Sequence, residues 1–88
     1  MPCYVVCYDL NTVGQNYECI TRRIKELTHF HAQQSVWFVQ HSGPETALVE
    51  YLKGCLDSND RLFVSEVSKS WAGINMPKGE TWLNSRGY

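Results

Sequence analysis

No run of apolar residues in this chain approaches the roughly 18 that a membrane-spanning helix requires, so an apolar transmembrane anchor is excluded from its 88 residues. A surplus of either charge is also missing. Eight Lys and Arg oppose nine Asp and Glu, for a formal net charge of -1. Proteins that hold nucleic acid through its phosphates are usually basic, so binding of that kind must rely on a local patch. Repeats, linkers and low-complexity stretches are absent, which argues against a solenoid or a disordered chain. No two of the four cysteines form a CxxC pair, so a structural zinc site has poor support. Residues 1–10 lack a positive stretch and a small-residue cleavage site, and read as a strand rather than a secretion signal. Cys3, Cys7, Cys19 and Cys55 are accordingly expected to be reduced, buried thiols in a cytoplasmic protein.

What is present is ordinary globular material: 43% of residues are hydrophobic, with three Trp and five Tyr. The length suits one domain, residues 1–88. A domain this small buries only about 60% of its unfolded surface, so a second copy would be a natural supplement.

Residues 3–8 (CYVVCY) are apolar on both faces, as in a central strand covered from two sides. Residues 11–16 (NTVGQN) carry turn and helix-capping chemistry. Tyr17, Ile20, Ile24 and Leu27 then recur at helical spacing. Residues 30–40 (FHAQQSVWFVQ) hold either one bent strand or a tight hairpin. Ser42 stands three residues before Glu45 in a capping-box pattern, and Pro44 suits a first helical turn. Leu48, Tyr51, Leu52, Cys55 and Leu56 form the stripe of a second helix, which DSND at 57–60 ends. Residues 61–68 (RLFVSEVS) read as a further strand. Residues 71–88 form an aromatic tail broken by Gly73, Pro77 and Gly79, with one helical turn at 81–84.

This order predicts an α+β fold: a ferredoxin-like βαββαβ sandwich, an antiparallel sheet with two helices on one face. The other face needs a cover. A second copy is the simplest one, with Trp37, Phe38 and Phe63 expected to supply the contact. Trp71 and Trp82 are expected to anchor the tail on the body or on a partner.

Asp9 is the leading candidate for chemistry. It ends an apolar strand and precedes a Gly-containing turn, so rigid backbone would present its carboxylate to a loop. Either it caps that turn or it serves as a catalytic or metal-binding group. One carboxylate is a poor magnesium site, but a two-fold dimer would bring a second. Arg22, Arg23 and Lys25 are candidate phosphate contacts; the plainer reading is a solvated helix face paired with Glu18 and Glu26. His29 and His31 would share a strand face, without an evident third metal ligand, and either a general base or a polar strand end fits them. His41, Ser35, Ser65 and Glu66 carry weaker signals; Ser35 lacks the partners a nucleophile needs.

YVVCYDL (4–10), the helix after it, QQSVWFV (33–39) and DRLFVSEVS (60–68) together resemble the CRISPR-associated protein 2 family over the first four-fifths of the chain. The chain is also similar to the related small SinR-like proteins, with Ser68 to Trp71 matching their Ser-x-x-Trp ending, and more distantly to the virulence-associated protein D ribonucleases. The resemblance implies a ferredoxin-like homodimer that binds or processes DNA or RNA. It implies Asp9 as a magnesium ligand for phosphodiester cleavage by an endonuclease. In several members of the family the same fold is a non-catalytic dimeric bridge between CRISPR integrase subunits. The aromatic tail is also compatible with docking on a protein partner.

Overall fold

The computed structural model describes residues 1–11 and 17–88. Among them, four strands and three helices follow one another as β1 (Cys3–Asp9), α1 (Tyr17–Lys25), β2 (Thr28–Gln33), β3 (Val36–Gln40), α2 (Glu45–Lys53), β4 (Arg61–Glu66) and α3 (Pro77–Asn84). The strands form one antiparallel sheet in the order β2-β3-β1-β4. The fold is thus mixed α+β. The turn region expected at 11–16 lies, beyond Asn11, outside the described residues.

β1 is apolar on both faces because both are covered. Tyr4, Val6 and Tyr8 point one way and join Ile20 and Ile24 of α1 and Leu48 and Leu52 of α2 in the main core. Val5 and Cys7 point the other way, toward the side where the C-terminal segment lies. The region that permitted a bent strand or a hairpin is a hairpin, with Gln34 and Ser35 at its turn. An irregularity between His31 and Gln33 absorbs a shift in register.

Several expectations need correction. Trp37 and Phe38 do not share the open face. Adjacent strand residues point to opposite sides, and Trp37 goes into the core, 1% exposed, where its indole N–H donates to the Tyr8 hydroxyl at 3.1 Å. Trp37 is therefore a core residue, not a dimer contact. The capping box at Ser42 does not form. Pro44 takes the N-cap position of α2 with no side-chain cap, which leaves Ser42 two residues outside the helix. The helical turn at 81–84 extends back to Pro77, which sits in the first turn, where its missing N–H costs nothing.

The cysteines divide into two kinds. Cys19, in α1, and Cys55, just past α2, form a disulfide, whereas Cys3 and Cys7 are free. The expectation of four reduced thiols therefore fails for one pair. α1 and α2 lie side by side, which brings the two Cα atoms to 5.6 Å, well within disulfide reach. A separation of 36 residues leaves no local sequence signal.

Cross-linking a loop of this length contributes about 2–4 kcal/mol, mainly by restricting the unfolded chain. A Cys19→Ser/Cys55→Ser variant should lose that much, read from the urea midpoint at unchanged slope. In denatured, unreduced protein only two of the four cysteines should react with a thiol reagent. Four reactive thiols would remove the bond.

Candidate nucleic-acid interface

Asp9 occupies the last position of β1, exposed, directly opposite Arg61 at the start of β4. Residues opposite one another in an antiparallel pair project from the same face. Asp9 and Arg61 therefore share the face that α1 and α2 do not cover, followed inward by Cys7 opposite Phe63. Phe63 is 64% exposed. A shallow pocket of about 220 Å³ gathers Cys7, Asp9, Arg61 and Phe63 with the flanking Tyr8 and Leu62.

Asn11, just past β1, is held by another acid. The Asp60 carboxylate accepts the Asn11 N–H at 2.9 Å and the Asp57 N–H at 2.8 Å, and the Asn11 side-chain amide donates to the Asn59 carbonyl at 2.9 Å. The turn at 11–16 that Asp9 was considered to cap lies, beyond Asn11, outside the described residues; among the described residues the Asp9 side chain has no hydrogen bond or ion pair. Arg61 is likewise unpaired among them; the two ion pairs there are Arg22 with Glu18 and Lys53 with Glu50. A carboxylate and a guanidinium, both on rigid strands and neither bonded to another described side chain, can address a phosphodiester: arginine binds phosphate in a fork.

The basic residues expected to bind phosphate lie elsewhere. Ile20 and Ile24 bury one side of α1 against the helix-covered face of the sheet, so Arg22, Arg23 and Lys25 are a layer away from Asp9. Arg22 pairs with Glu18 at 3.7 Å in full solvent. Arg23 is committed to structure. Its guanidinium donates to the Tyr51 carbonyl at 2.8 Å, while the Tyr51 hydroxyl donates to the Arg23 carbonyl at 3.1 Å and meets Glu26 at 3.3 Å. Burial, then the Glu26 carboxylate, push the Tyr51 phenol above its ordinary pKa. Lys25 is exposed.

The histidines do not reach this pocket. His31 stacks on Trp37 with centroids 3.9 Å apart, and His29 meets the same indole edge-on at 5.6 Å. The ring nitrogens hydrogen-bond the Leu27 and Gln34 carbonyls, and the His41 ring accepts the Gly43 N–H at 3.1 Å. Ser35 lies in the hairpin turn, where its carbonyl accepts the Tyr8 N–H. Burial raises the Cys3 and Cys7 thiols, which disfavours a thiolate nucleophile beside Asp9. Among the described residues no three His, Cys, Asp or Glu side chains stand together as a metal site.

Arg61 escaped the reading of the sequence because its partner is 52 positions away and only strand register joins them. A second cavity, of about 330 Å³, lies between the sheet and the C-terminal segment, lined by Val5, Phe38, Trp71, Met76, Glu80 and Leu83 among others. Trp82 packs nearby on Phe30 and Phe38. No family model, curated protein or solved structure matches this chain.

The contrast between neighbouring arginines is testable. Arg23→Ala should cost about 1.5–3 kcal/mol, the scale of a charged hydrogen bond lost with its partner left unpaired. Arg22→Ala should change stability by less than about 0.5 kcal/mol. Urea denaturation of both variants gives the comparison.

Proposed function

We propose that this chain is a ferredoxin-like domain that pairs two-fold and binds nucleic acid, as its resemblance to the CRISPR-associated protein 2 family implies. The observation that carries the reading is the Asp9–Arg61 pair, opposite in register on the open face and without a side-chain partner among the described residues. Arg61 takes a phosphate, and exposed Phe63 offers apolar area to a second copy or to a base. The patch carries both charges, which suits an isologous interface in which each surface meets its own copy. The two open strand edges, β2 and β4, leave room for such pairing.

The donors of one protomer do not fit magnesium. Among the described residues Asp9 belongs to no group of three His, Cys, Asp or Glu that could hold a metal, and Arg61 opposite it in register opposes a cation. Binding is therefore the primary reading, and it accommodates a non-catalytic dimeric adaptor. A second reading, favoured by the exposed position of Asp9 at the strand end, adds hydrolysis. In it, twin Asp9 carboxylates from two protomers hold magnesium, which would supply Lewis-acid stabilisation of a phosphodiester. A cytoplasmic setting further requires the Cys19–Cys55 bond to withstand cellular reductants; both residues are half-buried.

The readings separate in one set of assays. Wild-type protein should shift single-stranded RNA or duplex DNA in a gel, and Arg61→Glu should bind at least about tenfold more weakly. Asp9→Asn should keep binding while abolishing any magnesium-dependent cleavage. Cleavage that survives Asp9→Asn removes the catalytic reading. A wild-type protein that sediments as a monomer and shifts neither nucleic acid removes both.

A further inference from the structure

We propose that the C-terminal segment is a displaceable cover, and that the surface beneath it is a stacking platform for single-stranded nucleic acid. The inference rests on the nucleic-acid reading above but uses a different part of the sheet. Phe30 and Phe38 lie opposite each other on β2 and β3, with ring centroids 6.4 Å apart and planes 19° from parallel. Trp82 of α3 lies against both, at 6.2 and 6.3 Å, with its plane tilted 38° and 29°. Two near-parallel rings on a rigid sheet, contacted by a third flat ring, form the arrangement in which a base stacks, and every base has a π-face to offer.

The polar groups around the rings point the same way. The Gln33 amide meets the Met76 sulfur at 3.7 Å, and the Gln40 amide oxygen accepts a hydrogen bond from Arg86 at 3.2 Å. Each amide thus makes one contact with the cover, while the Gln40 amide nitrogen donates to the Met1 carbonyl at 3.3 Å. Removing the cover frees two groups suited to base edges, on either side of the rings. Val5 pairs with Phe38, and Asp9 lies four residues further along β1, about 13 Å at strand rise. A strand stacked on the platform can therefore carry its backbone to Arg61.

The cover is loosely fastened. Only Gly79 and Leu83 of α3 are buried, whereas α1 and α2 bury Ile20, Ile24, Leu48 and Leu52 completely. The segment spans the 330 Å³ cavity rather than filling it, and leaves the Trp71 indole N–H buried without an acceptor among the described residues. Asn75, just before the helix, has φ of 60°. At the far end the attachment is polar: the Tyr88 hydroxyl oxygen accepts the Cys3 N–H at 3.2 Å, and Arg86 donates to the Gln40 amide oxygen.

A closed cover lowers apparent affinity by the fraction of molecules that are open. Anisotropy of a fluorescein-labelled oligoadenosine, with the full-length chain, reads that fraction. Trp82→Ala should bind about tenfold more tightly than wild type, for a closed-to-open ratio of about ten. Adding Phe38→Ala should reverse the gain. Tyr88→Phe, which removes one hydroxyl and no packing, should move affinity the same way by a smaller factor, and it decides the matter should Trp82→Ala fail to fold. The gain should be nearly independent of salt, since stacking releases few counterions. The proposal is overturned if loosening the cover leaves affinity unchanged, or if Phe38→Ala fails to reverse the gain. It also falls if the loosened variant self-associates in sedimentation without binding the oligonucleotide, which would assign the platform to a second copy. Placing Arg61→Glu in the Trp82→Ala background keeps the two readings apart: a gain that persists supports the platform even where the Asp9–Arg61 site fails.

Discussion

The two-sided burial of β1 organises the molecule. Its even-numbered residues, Tyr4, Val6 and Tyr8, face the two helices and lie in the main core. Its odd-numbered residues face the side on which the C-terminal segment lies. A strand with one polar face would have been content at an edge; this one needs neighbours on both flanks and layers on both sides. β3 and β4 supply the flanks. α1 and α2 close one side completely, and the tail closes the other only in part. The same alternation decides which residues remain for function, because whatever projects beyond the end of the odd-numbered row, as Asp9 does, stands clear of the main core.

Much of this was legible in the chain. The apolar run at 3–8, the helical spacing of Ile20 and Ile24, and that of Leu48 and Leu52 each report a local period that burial then realises. What escaped was non-local or depended on phase. Trp37 and Phe38 both read as apolar strand residues, but which of them faces the helices is set by pairing with β1. Ser42 satisfied a capping pattern, yet the helix starts at Glu45, so the spacing no longer matched a cap. Pro77 and Gly79 read as breaks, although one opens α3 and the other fits against the Phe30 and Phe38 rings, where a Cβ would lie 3.3 and 3.6 Å from ring carbons. Asp9 was visible as a strand end; Arg61 was not, since only the sheet makes them neighbours.

The charge distribution follows the same division. With almost no net charge to spend, the chain uses its cations locally. Arg23 ties α1 to α2, Arg22 and Lys53 balance acids on their own helices, and Arg86 fastens the tail. Arg61, on the open face, is the one arginine with no hydrogen bond, ion pair or ring contact among the described residues. In a protein without a basic field, one unpaired guanidinium beside an aromatic surface confers selectivity for where a partner sits, more than strength of attraction at a distance.

The bond between Cys19 and Cys55 has a topological consequence. It closes a covalent ring that contains most of α1, the β2–β3 hairpin and α2, while β1, β4 and α3 lie outside it. The central strand is thus an insert from outside the ring, laid between a strand the ring encloses and one it does not. A protease cut anywhere within the ring leaves a single covalent molecule with its sheet order intact, whereas a cut in the segment after β4 sets the C-terminal portion free. Only the part of the chain between Cys19 and Cys55 is protected in this way; β1, β4 and α3 stay joined to it by the backbone alone.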